Sequence, residues 1–327
     1  MLRSLARVVL GLSVAVVLGC ESAPTGELAP DPAPHTDRRI AITFDDAPLG
    51  PGARGAWDRA GALIAALDEA GVQAAFFATT KGTQTLPDGA ARLARYAEAG
   101  HLIANHTHTH PWLSRTEADA YLADIDAATA RLAGLPNRRA WFRHPFLDQG
   151  RGDAGRRAAV RAGLAARGLT DGYVTADTYD WHLDARWRRA LRDGLAVDEA
   201  ALARVYAAMV VDAAEHAHGL AAERLGGQPV HVLLLHENDA AASFAPAAIG
   251  ALRAAGWRVV TPDEAYADPL PPADVATSFT GMGRVAALSW EAGARGAEAF
   301  DHWSASEAGI DARLAAEGAI PAPPPAL

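Results

Sequence analysis

Two adjacent carboxylates, Asp45 and Asp46, close an apolar strand-like run, Ile40-Ala41-Ile42-Thr43-Phe44, and further along the chain stands His106-Thr107-His108-Thr109-His110. A catalytic zinc site takes three protein ligands from His, Asp and Glu and keeps a fourth position for water. Asp46, His106 and His110 supply such a set, which leaves Asp45 free to work as a base. The two histidines are four residues apart, so both can project to one side of a single turn while His108 points elsewhere. Co²⁺, Ni²⁺ or Mn²⁺ could occupy the same ligands. Arg143 is charged at any working pH and can hold a carboxylate in a fixed fork. His236 follows Val230 to Leu235, a nearly all-apolar run typical of a strand buried on both faces. A histidine emerging from such a strand into a polar mouth is placed to act as a general acid.

These groups must be gathered by the elements that carry them. Apolar β-like runs (Ile40 to Phe44, Val72 to Ala78, His101 to Ala104, Ala140 to Phe142, Tyr173 to Ala176, Val230 to Leu235, Trp257 to Val260) alternate with segments of helical spacing. The helical segments are Ala56 to Ala70, Leu86 to Ala99, Thr116 to Ala133, Asp153 to Arg167, Val197 to Leu225 and Ala242 to Ala254. Such alternation predicts an α/β fold with parallel strands, as a barrel or a doubly wound sheet. In a β/α barrel the reactive side chains sit beyond the C-terminal ends of the strands. Asp45 and Asp46 follow the first run, His106 and His110 the third, Arg143 the fourth, Asp180 the fifth and His236 the sixth, so one face of a barrel would gather them all. Beyond Asp268 the alternation stops, and residues 269–327 carry no recognisable function; Gly283 to Ala316 is expected to form helices packed against the barrel exterior.

The chain of 327 residues is 50% hydrophobic and 21% charged, enough to bury one large core. A formal net charge of -9 and the lack of basic blocks interleaved with aromatics argue against a nucleic-acid partner. Nothing in the sequence calls for a protein partner. With a single cysteine, no intramolecular disulfide can form and a thiolate zinc site is excluded. Arg3 and Arg7 precede an apolar stretch, Val8 to Leu18, and Val17-Leu18-Gly19-Cys20 follows. This resembles the lipobox of bacterial lipoproteins, which implies a signal peptide over 1–19, lipidation at Cys20 and membrane attachment outside the cytoplasm. The expected place is the cell envelope, periplasmic or at the outer-membrane face where there are two membranes. Residues 20–38, with Pro24, Pro30, Pro32 and Pro34, read as a flexible tether, leaving 39–268 as the folded domain and 269–327 as an extension.

Five motifs, in order, resemble the polysaccharide deacetylases, the NodB-homology domains of carbohydrate esterase family 4. They are Thr43-Phe44-Asp45-Asp46-Ala47-Pro48, His106-Thr107-His108-Thr109-His110, Arg143-His144-Pro145-Phe146, Asp180-Trp181 and Leu233-Leu234-Leu235-His236. The resemblance implies a distorted (β/α)7 barrel, one divalent metal, and removal of acetyl groups from carbohydrate. By resemblance Asp45 is the base, Arg143 orients it, Asp180 tunes the acid His236, the Phe146 backbone N–H holds the oxyanion, and Phe146 and Trp181 wall the sugar site. Ala47 stands where the family usually has Gly, and His144 occupies a variable position. The long stretch between Trp181 and Val230 is expected to reshape the rim. The reading that follows is N-deacetylation of N-acetylated amino sugars in a glycan, with an O-acetyl glycan esterase or a non-catalytic glycan-binding lipoprotein as the alternatives.

Overall fold

The computed structural model describes residues 38–55, 57–267, 269–270, 282–295 and 300–321. Seven parallel strands form one sheet: β1 (Arg39–Ala47), β2 (Ala75–Ala78), β3 (Leu102–Asn105), β4 (Arg138–Phe142), β5 (Thr170–Asp171), β6 (His231–His236) and β7 (Arg258–Val260). The order is β5-β4-β3-β2-β1-β6, with β7 beside the first residues of β1. From β1 to β5 each new strand is added on the same side of the last. Right-handed crossovers then place every connecting helix on one face, so the sheet curls rather than being wound on both sides. A bridge between Ala176 and Leu233 joins the segment after β5 to β6 and draws the curl into a distorted barrel.

Strands β1, β2, β3 and β6 are legible because they are buried on both faces. Along β1, Ile40, Ile42 and Phe44 pack outward against helical residues such as Leu63, Leu67, Leu93 and Leu252. Phe44, Phe76 and Tyr96 stack in series, with ring centroids 5.1 and 4.0 Å apart. The intervening Ala41 packs with Val232 and Leu234 on the inner face. Since side chains alternate along a strand, Asp45 and His236 belong to that inner face as well. In the β1–β6 register they are direct partners, which sets the two side by side at the barrel mouth.

Two expectations are corrected. The fifth strand is not Tyr173 to Ala176 but Thr170–Asp171, and the chain leaves β4 at Gly172. The Gly172 N–H donates to the Phe142 carbonyl at 2.7 Å, and a Cβ on this glycine would lie 2.4 Å from the Phe77 ring. With no side chain there, the backbone passes close beneath and reaches β6, where Thr175 N–H bonds the Val232 carbonyl at 2.9 Å. In addition, after α1 (Arg59–Glu69), α2 (Gly82–Thr85), α3 (Gly89–Glu98), α4 (Ala118–Leu132) and α5 (Ala154–Ala166), a further helix α6 (Asp180–Arg192) precedes the long helix α7 (Glu199–Arg224). Gly283–Glu291 and Glu307–Ala316 are helical, as expected for the extension. Among the described residues no helix is long and apolar enough to cross a membrane; Cys20 and the segment around it lie outside them.

Candidate active site

Strict alternation would send Asp45 and Asp46 to opposite faces of the sheet. A β-bulge prevents this: Asp45 pairs with Phe77 and Ala47 with Ala78, leaving Asp46 as the extra residue. Its φ of 67° lies in the left-handed region, tolerated by aspartate better than by most residues. Both carboxylates are thereby delivered to one mouth.

The histidine loop is shaped by polar side chains rather than by a helical turn. Asn105 Oδ1 accepts the Thr107 N–H at 2.8 Å, and Thr107 Oγ1 accepts the His110 N–H at 3.0 Å. Asp124 accepts from the His108 and Thr109 N–H groups at 2.7 and 2.9 Å. Thr107 and His110 both take positive φ, 70° and 59°. His108 Nδ1 meets Thr80 Oγ1 at 2.9 Å and points away from the mouth, as expected.

The result is a compact set. His110 Nε2 lies 3.2 Å and His106 Nε2 3.7 Å from Asp46 Oδ1, and the three ligand atoms fall within 4.8 Å of one another. These residues fit a divalent ion. Asp46 Oδ1 is buried without a hydrogen-bond partner, an arrangement that costs free energy unless something supplies the missing positive charge. His106 Nδ1 lies 2.8 Å from the Arg143 carbonyl, which fixes the ring and turns Nε2 into the cluster. Burial pushes His106 well below the ordinary histidine value and lowers His110 too, so both keep the lone pair a metal requires.

Asp45 and His236 flank the cluster. Asp45 Oδ2 is 3.5 Å from His106 Nε2, and Oδ1 accepts from Arg143 Nη1 at 2.5 Å. Burial raises the Asp45 carboxyl to about 6 against the pull of Arg143 and His236. The expected two-nitrogen fork is not formed. Arg143 reaches Asp45 through Nη1 alone because its other donors are spent on Gly172 O (Nε, 2.7 Å) and the Tyr266 hydroxyl (Nη2, 3.0 Å), while Nη1 also meets Thr43 Oγ1 at 2.9 Å. Its guanidinium also lies 3.7 Å from the Phe77 ring centroid. On the opposite side, Asp180 is fully buried, and its Oδ1 lies 2.7 Å from His236 Nδ1. Its Oδ2 accepts from the His236 and Asn238 nitrogens at 2.9 and 3.1 Å. Burial alone would lower the His236 imidazole; the Asp180 pair, aided by Asp46 and Asp45, outweighs it and raises the group to about 10.

Asp45, Asp46, His106, His110 and His236, with Arg143 and Asp180 behind them, line a pocket of about 590 Å³ that also takes in Trp112, Phe146, Leu147, Asp177, Tyr179, Trp181 and Leu234. Phe146 and Trp181 are exposed large aromatics, suited to meeting a ligand. Phe146 is not a bare wall, since Trp112 stacks on it at 3.8 Å and 4°. Phe146 and Leu147 take φ of 58° and 51°, so five of the eight positive-φ non-glycine residues among those described lie at this pocket or its histidine loop. The sequence reading missed Asp177, Tyr179, Trp112 and Tyr266. Asp177 stands three residues before Asp180, a spacing the sequence does display. Burial lifts its carboxyl to about 7, opposed by His236 and aided by Asp180.

Comparison with known proteins finds similarity to deacetylases over part of the chain. The family model described as polysaccharide deacetylase matches residues 33–166. A chitooligosaccharide deacetylase from Rhizobium leguminosarum bv. trifolii is 36% identical over 95 residues, covering 29% of this chain and 40% of that protein. A peptidoglycan-N-acetylglucosamine deacetylase from Bacillus cereus is 30% identical over 116 residues, covering 35% and 38%. The matched stretch thus spans well under half the length of either relative. Among solved structures, a family 4 carbohydrate esterase from Streptomyces lividans aligns over 70% of this chain and 96% of its own, at 20% identity and a TM-score of 0.43. Within residues 33–166 the chain is therefore similar in sequence to polysaccharide deacetylases.

Proposed function

We propose that the protein is a metal-dependent hydrolase that removes acetyl groups from N-acetylated amino sugars of a glycan, with Asp46, His106 and His110 holding the metal. The observation that carries this reading is a three-ligand cluster with a base held by arginine on one side and an acid held by aspartate on the other, all at one mouth. A divalent ion bound there would polarise the acetyl carbonyl and acidify a water molecule. Asp45, fixed by Arg143 through Oδ1, uses Oδ2 to take a proton from the attacking water. The Phe146 N–H, on its left-handed turn, donates to the oxygen of the tetrahedral intermediate. His236, whose Nδ1 is engaged by Asp180, gives the Nε2 proton to the departing nitrogen as the C–N bond breaks, yielding acetate and a free amine.

The acid favours the amide reading over the ester reading. An amine departs only when protonated, whereas a sugar alkoxide leaves with less help, and the Asp180 carboxylate 2.7 Å from His236 Nδ1 favours the protonated imidazole. Attachment at the cell envelope through Cys20 belongs to the same proposal and rests on the Val17-Leu18-Gly19-Cys20 sequence. The test is acetate release from defined N- and O-acetylated oligosaccharides, with and without a chelator. Release from the N-acetyl series, abolished by the chelator and restored by Zn²⁺ or Co²⁺, is expected. Activity confined to O-acetyl glycans would replace this reading with the esterase, and no release from either series would leave a glycan-binding protein.

A further inference from the structure

Residues 269–327 carry no catalytic motif, yet part of this extension lies directly behind the acid. Helix α6 begins at Asp180, the residue that holds His236, and Tyr179 is its N-cap. The Tyr179 N–H donates to the carbonyl of Ser304, a buried residue, at 2.7 Å. Within the first two turns of α6, His182 Nε2 lies 3.1 Å and Arg186 Nε 2.9 Å from Asp311 Oδ1. Ile310 and Leu314, on the same helix as Asp311, are buried in the core that also contains Leu183 and Trp187 of α6. Trp303 is anchored in turn to α7, its Nε1 donating to Asp212 Oδ2 at 3.0 Å. Beyond α6, the Asp198 N–H donates to the Ala319 carbonyl at 3.0 Å. The extension therefore grips the segment 179–198 at its start, along its first turns and at its end.

We propose that residues 302–319 are a positioning clamp for the acid side of the active site, holding the start of α6 so that Asp180 meets His236 and Tyr179 and Trp181 face the substrate. On its other flank α6 is held by the residues that follow His236, through the Ala240 N–H to Asp184 Oδ1 bond at 3.1 Å and the Trp187–Phe244 contact at 5.4 Å. Without the clamp, the start of α6 would be fixed only from the β6 side, by that flank, by the His236 and Asn238 bonds to Asp180 and by the Thr178 Oγ1 to Leu234 O bond at 2.8 Å. A displacement of about 1 Å at a positioned catalytic group can cost on the order of 10²-fold in rate. The clamp's effect on turnover rests on the deacetylase reading; its effect on the Asp180–His236 contact does not.

The experiment uses the full chain with Asp311→Ala and Asp311→Asn. Three quantities are read: the proton NMR signal of the His236 Nδ1–H bonded to Asp180, kcat and KM on an N-acetylated chitooligosaccharide, and the melting temperature. Asp311→Ala should shift or broaden the His236 signal and lower kcat about tenfold or more, with a smaller rise in KM. Its melting temperature should change little, since Ile310 and Leu314 remain seated. Asp311→Asn keeps an acceptor for His182 and should recover part of the signal and of kcat. An unchanged signal and kcat in Asp311→Ala, or a kcat loss that only tracks loss of folded protein, would overturn the clamp. If Asp311→Ala fails to fold, the double variant His182→Gln, Arg186→Gln severs the same links from the α6 side, and the same outcomes apply. A wild type that releases no acetate, with the signal still perturbed in Asp311→Ala, would sink the deacetylase reading and leave the clamp standing.

Discussion

Asp180→Asn removes the charge that keeps His236 protonated while changing almost nothing in size. In the wild type His236 is raised from 6.5 to about 10, with burial opposing and Asp180 the largest of the raising influences. The other groups facing the imidazole are Asp45 and Asp46 on β1, Asp177 ahead of α6, and the neutral His106 and His110. With Asp180 neutral, the imidazole should return to about 6.5 or below, because burial now acts against the remaining carboxylates alone. At pH 8 the protonated fraction then falls from nearly all to about 3%, and at pH 7 to about a quarter, so kcat on an N-acetyl oligosaccharide should drop roughly 30-fold and 4-fold respectively. The loss should shrink further below pH 6.5, and the basic limb of the kcat–pH profile should move down by more than one pH unit. Stability follows the same sign. A raised histidine value contributes stability fully present just below about 6.5 and lost as pH rises through about 10, so the melting difference between wild type and variant should be full near pH 6 and narrow toward pH 10. A uniform loss of kcat at every pH, with the basic limb unmoved, would refute the argument and make Asp180 a purely geometric support.

Other consequences can be measured directly. His106→Ala should leave purified protein with little bound zinc; full occupancy would remove His106 from the ligand set. Asp45→Asn should retain the metal and lose on the order of 10²-fold or more in kcat, because it deletes a base and not a ligand. Arg143→Leu leaves the buried Asp45 carboxylate without its cation and should lower stability by about 3 kcal/mol, seen in denaturant unfolding. Cys20→Ser should abolish labelling by a palmitate analogue and membrane partitioning, and a wild type that is itself unlabelled and freely soluble would end the envelope assignment.

The sequence by itself indicated the class of fold and picked out candidate residues that the structure brings to one mouth. Parallel strands buried on both faces must be apolar throughout, so β1, β3 and β6 stand out in the chain, and Asp45, His106 and His236 stand at or just beyond their ends. Other features depended on contacts between distant residues, which no local pattern records. The bulge that turns Asp46 to the same mouth as Asp45 is set by pairing with β2, and the single-nitrogen grip of Arg143 by competition from Gly172, Thr43 and Tyr266. The fifth strand was misplaced because Gly172 lets the chain cross from β4 to β6, so Tyr173 to Ala176 keeps strand-like composition without being a regular strand. Helix α6 went unseen because Leu183, Trp187 and Ala190 are its only buried apolar residues amid a run of charges. Its position, and with it that of Asp180, is set by packing between the segment after His236 and a C-terminal extension whose own sequence carries no sign of the site it touches.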